Sequence, residues 1–115
     1  MAAEDIVPET FDEAVQVVID ELAPDDHTLI NEMPIEVCLA TGQKTIGDCI
    51  RKDWGLWDGE GKLFHCLKDL GLTHPEDMSA VILTAVICKV HGKEFNLKAE
   101  VQKYKTNREN KPGLN

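Results

Sequence analysis

A chain containing Met78–Val90 has few ways to fold. Ten of those 13 residues are apolar, and the polar ones, Ser79, Thr84 and Lys89, do not share a face. A surface helix carries one apolar stripe, so a helix that is apolar nearly all round belongs in an interior. The run is too short to cross a bilayer, which takes about 20 such residues. A buried strand is the rival reading, because Val, Ile and Thr favour sheets. Length and the flanking signals select helix. Pro75 suits the first helical position, with His74 outside the helix and Glu76 and Asp77 on its positive end. Lys89 and His91 suit the negative end, and Gly92 is the stop. The expectation is an all-α fold, a compact bundle of about five or six helices around a central apolar helix at about residues 75–91.

The sheath is readable from caps and breakers. Thr10 and Glu13 have capping-box spacing. Phe11, Ala14, Val15, Val18, Ile19 and Leu22 then recur at helical intervals, until Pro24 ends the helix near Leu22. Asp25 or Asp26 is placed to cap a short helix through Asn31, with Leu29, Ile30 and Met33 inward. Ile35–Ala40 reads as a helical turn or two, interrupted by Gly42. Thr45–Trp54 is a further helix with Ile46, Cys49, Ile50 and Trp54 on one side and Arg51 and Lys52 off the stripe. Gly55, Gly59 and Gly61 make a loop. Leu63, Phe64, Leu67 and Leu70 mark a helix that stops at Gly71. Asn96 caps a last helix through Tyr104, with Leu97, Val101 and Tyr104 inward. The 115 residues form one domain by length, and 1–9 and 105–115 are expected as flexible tails.

Charge is distributed unevenly. Residues 1–43 hold 11 acids and no Lys or Arg, whereas residues 44–115 hold 10 acids and all 12 bases, so the two parts carry -11 and +2 of the net -9. That sign argues against direct nucleic-acid binding and for a protein partner with a basic surface. No leader and no membrane span is legible, so a cytoplasmic protein is expected. Cys38, Cys49, Cys66 and Cys88 lie 11, 17 and 22 residues apart among apolar neighbours, which reads as reduced core thiols.

Chemistry-bearing patterns are sparse. Five residues separate Gly55 from Gly61, and Leu63 follows Lys62. A phosphate loop sets its glycines one residue closer and puts Ser or Thr after its Lys. Asp53, Asp58 and Glu60 lack the alternating oxygen ligands of a calcium loop. Cys88 and His91 can share a helix face, but no paired zinc-ligand spacing accompanies them. Ser79 is the only serine and has no nucleophile elbow. No catalytic, cofactor or metal residue is therefore assigned. Trp54 and Trp57 flank Gly55 and Leu56. Trp54 follows the helical stripe and is expected in the core, while Trp57 suits either a core plug or a partner anchor.

Three stretches resemble an uncharacterised family of short domains of unknown function found in bacteria and tailed phages. They are Ile50–Trp57, Leu70–Ser79 and His91–Lys93, together with the opening Pro8–Ala14. The resemblance spans roughly residues 8–104 and implies a small, mostly helical domain without implying a reaction. Residues 33–43 and the four cysteines depart from the family pattern.

The function expected is a non-catalytic acidic protein-binding module, of the kind that serves as a phage or bacterial accessory protein inhibiting a host or defence component. Asp12, Asp20, Glu21, Asp25 and Asp26, with Arg51 and Trp57, are expected to meet the partner. One alternative is an acidic nucleic-acid mimic occupying a basic groove. The other is a small enzyme or metal-binding protein using His and Cys. A second copy of the chain is also an admissible partner.

Overall fold

The computed structural model describes residues 7–109. Among them there are seven helices and no strand: α1 (Phe11–Glu21), α2 (Pro24–Glu32), α3 (Ile35–Lys44), α4 (Ile46–Asp53), α5 (Lys62–Leu70), α6 (Pro75–His91) and α7 (Leu97–Glu109). Helices α1–α4 and α7 all pack on α6, and α5 packs on α1.

The apolar run thus lies where its composition requires. Every residue of α6 from Asp77 to Cys88 is buried, and Met78, Val81 and Ile82 are inaccessible. The ends of α6 follow the reading from sequence. His74 Nδ1 accepts from the Glu76 N–H at 3.1 Å, Pro75 opens the helix, and Gly92 closes it at φ 73°. Val18 of α1, Ile50 of α4 and Trp54 at its C-cap, Leu63 and Leu67 of α5, and Val101 of α7 complete the core around it. At about 25 cal/mol per Å² of apolar surface removed from water, each such side chain contributes about 1.5–3 kcal/mol.

Several local expectations change. Gly42 does not interrupt α3, which runs ten residues to Lys44. A Cβ at Gly42 would lie 3.4 Å from Leu83 Cδ1, in van der Waals contact, so α3 packs against α6 at this glycine. Neither Asp25 nor Asp26 is the N-cap of α2. Pro24 is its first residue, and Asp26 reaches back to accept from the Ala23 N–H at 3.1 Å. Leu29 is exposed rather than inward, and α2 has no fully buried residue. The last helix continues past Tyr104 to Glu109, so the first part of the expected C-terminal tail is helical. Residues 110–115 and 1–6 lie outside the described residues. At the other end, Pro8 is buried, and Glu9 pairs with Lys62 at 3.4 Å.

Candidate functional site

Helices α1 and α4 both lie on α6 but leave a groove of about 630 Å³ between them. Its size falls in the range of small-ligand and peptide sites, roughly 300–1,000 Å³. From α1 and its C-cap the floor takes Val17, Val18 and Leu22, and from α4 and its C-cap it takes Ile46, Ile50 and Trp54. Both sets come from the helical period, which brings i, i+3, i+4 and i+7 onto one face. Glu21, Asp26 and Asp53 stand along its edge, with the exposed thiol of Cys49 beside them, and no Lys or Arg lines it. A second cavity, of about 360 Å³, runs under α2 and shares Val18, Leu22, Asp26 and Ile46 with the first. The end of α2 is pinned there by its Ile30 carbonyl, which accepts from His91 Nε2 at 2.6 Å and from Cys38 Sγ at 3.4 Å.

The acids expected to meet a partner are all exposed, but they are not one site. Glu21 and Asp26 reach the groove. Asp20 accepts from Gln16 Nε2 at 2.8 Å. Asp12 faces another hollow that it shares with Lys89 and Lys93. Trp57 is 54% exposed and sets its ring edge-on to His74, with centroids 5.8 Å apart, away from the groove. Asp53 and Cys49 were missed as site residues. The signal was present, because positions 46, 49, 50 and 53 continue one stripe of α4.

Arg51 lies apart from the exposed acids. It is only 9% exposed and is used inside the domain. Its Nη1 donates to Ser79 Oγ at 2.7 Å and to Gln43 Oε1 at 3.1 Å, and its Nη2 donates to the Gln43 carbonyl at 3.1 Å. The cation thereby caps the C-terminal end of α3, where unpaired carbonyls concentrate negative partial charge. Gln43 Nε2 also donates to the Glu76 carbonyl at 3.0 Å, tying α3 to the first turn of α6. Gly47 makes room for this cluster, since a Cβ there would stand 2.5 Å from Gln43 Oε1.

The thiols divide into two groups. Cys38 and Cys88 are buried as expected, whereas Cys49 is exposed and Cys66 half-buried. Burial pushes the Cys38 thiol up, against a smaller lowering by a backbone hydrogen bond. Cys88 is raised first by burial and then by the nearby Glu100 carboxylate. Neither suits a nucleophile, which needs the thiolate. Among the described residues no group of three or more His, Cys, Asp or Glu side chains is placed to hold a metal ion. No helix of the described residues is long and apolar enough to cross a membrane.

The fold and the groove define a small all-α domain sheathing one buried helix. A family model described as "Domain of unknown function (DUF6794)" matches residues 7–90, and the chain belongs to that family. The match ends at the close of α6, so α7 lies beyond it. No curated protein and no solved structure matches the chain.

Proposed function

We propose that this domain is a non-catalytic protein-binding module that docks a partner with a basic surface through its α1–α2 side. The observation that carries this reading is the groove between α1 and α4: an apolar floor, three carboxylates on the edge and no base in its lining. Apolar floors supply affinity, while complementary charge steers encounter and selects the partner. The surrounding charge favours the same partner, because residues 1–43 carry 11 acids and no Lys or Arg. A role as an accessory protein that inhibits its target by occupying a basic surface fits such a module, and a cytoplasmic setting suits its reduced thiols.

The test is association kinetics with a partner captured from the native host. Association should slow at least about tenfold between roughly 0.01 M and 0.15 M ionic strength, as the screening length falls from about 30 Å to about 8 Å. Reversing Glu21 and Asp26 to Lys should lower the on-rate, and Trp57→Ala should speed dissociation if the exposed ring anchors the same partner. Salt-independent association, with the reversed variants binding like the parent protein, would refute the reading.

A further inference from the structure

We infer that the groove between α1 and α4 takes a single basic amphipathic helix of the partner, its apolar face on the floor and its Lys or Arg side chains against Glu21, Asp26 and Asp53. This rests on the protein-binding reading above and specifies the element that is bound.

The shape argues for a helix. The groove is lined by the stretches 17–22 and 46–54, of 6 and 9 residues, at the end of α1 and along α4. At 1.5 Å rise per residue they are about 9 and 13 Å long, matching about two turns of a third helix. A helix seated there buries residues at i, i+3, i+4 and i+7, the usual pattern of helix-in-groove recognition. Strand addition would need an open sheet edge, and the described residues contain no strand.

Charge selects the sign. Glu21 and Asp26 stand on the α1–α2 side and Asp53 on the α4 side, so carboxylates edge the floor from both flanks. The nearest base in sequence, Lys52, is turned to Asp48 at 3.0 Å and does not line the groove. An acidic or neutral helix would strip water from these carboxylates without supplying a counter-charge, whereas a basic one supplies it. Cys49 offers a clean handle on the site. It is exposed in the groove's lining, so a bulky replacement narrows the groove without changing net charge or the core.

The experiment titrates the isotope-labelled full chain with a synthetic amphipathic peptide of about 14 residues (roughly four turns) with Leu on one face and Lys on the other. Two controls are a scrambled peptide of the same composition and the same helix with Glu for Lys. Amide shifts should centre on Val17, Val18, Leu22, Ile46 and Ile50, and the Glu peptide should not bind. The scrambled peptide, Cys49→Trp, and the E21K/D53K variant should each weaken binding by about tenfold or more. Circular dichroism and the thermal midpoint establish that each variant folds, and the shift map on the parent chain stands if one does not.

Equal binding of ordered and scrambled peptides, unaffected by Cys49→Trp but weakened by charge reversal, would overturn the groove while leaving the acidic-surface reading intact. Absence of binding, or shifts confined to Asp12 and Asp20, would also overturn it, and the partner kinetics above would then judge the broader reading alone. Light scattering over a range of chain concentrations covers the remaining occupant: a dimer abolished by Cys49→Trp would assign the groove to a second copy instead.

Discussion

Replacing Ser79 with Ala removes one of the three hydrogen bonds that hold Arg51 inside the domain. Ser79 Oγ is fully buried and accepts the shortest bond of the guanidinium, 2.7 Å from Nη1. The closest carboxylate is no substitute: Asp48 Oδ1 is 3.9 Å away, on a side chain 44% exposed, where ion pairs contribute little. A hydrogen bond to a charged group contributes about 1.5–3 kcal/mol, and a buried donor left short of partners adds a desolvation cost. Gln43 Oε1 still accepts from Nη1 in the variant, at 3.1 Å, so the loss should lie near the middle of that range. We expect Ser79→Ala to lower stability by about 2 kcal/mol, a drop of roughly 6–12 °C in Tm for a chain of this size.

The decisive measurement is a double-mutant cycle with Arg51→Met, using urea denaturation followed by far-UV circular dichroism. With the cation gone, the serine has only the bond of its single hydroxyl proton to lose, donated to Gln43 Oε1 at 2.7 Å or to the Glu76 carbonyl at 3.1 Å. Its removal should therefore cost less in that background, giving a coupling of about 1–2 kcal/mol. A coupling within about 0.5 kcal/mol of zero would refute the argument that the serine acts on the arginine.

Two further outcomes test the core. Ile82→Asp places an unpaired charge at an inaccessible position of α6 and should abolish cooperative unfolding, since such burial costs several kcal/mol; a folded, cooperative variant would contradict the sheathed-helix architecture. The raised Cys38 and Cys88 thiols keep their protons in the folded state above their ordinary value of 9.0, where the unfolded chain loses them. Their contribution is thus complete below that pH and lost as pH rises through the folded values, so C38A/C88V should flatten the alkaline decline in stability measured by urea titration.

The central helix was legible because its signals are local: Pro75, Gly92 and an apolar run that no surface helix tolerates. The same holds for Thr10, whose hydroxyl accepts from the Glu13 N–H at 3.2 Å. What sequence hid depends on a second element. Gly42 reads as a breaker until α6 is seen lying against it. Arg51 reads as surface because a helical stripe records only one face of α4, while its partners come from α3 and α6. Cys49 and Asp53 sit on the apolar stripe of α4, and only the separation between α1 and α4 leaves that side open. Acid content was countable, but dividing it between a groove and unrelated faces required the positions of α1 and α2.

Placing the rod of the fold late in the chain has a consequence for synthesis. Helices α1–α4 end at Asp53, and the helix they pack on begins only at Pro75. At about 5–20 residues per second, α4 waits roughly 1–4 s on the ribosome for the start of its partner, and α1 waits roughly 3–11 s. During that interval Val18, Ile50 and their neighbours lack the surface that covers them in the finished fold, the state in which nascent chains adhere to one another. The segment waiting longest is also the one with 11 acids and no Lys or Arg in its 43 residues. Like-charge repulsion between such segments opposes association until α6 emerges and the sheath closes on it.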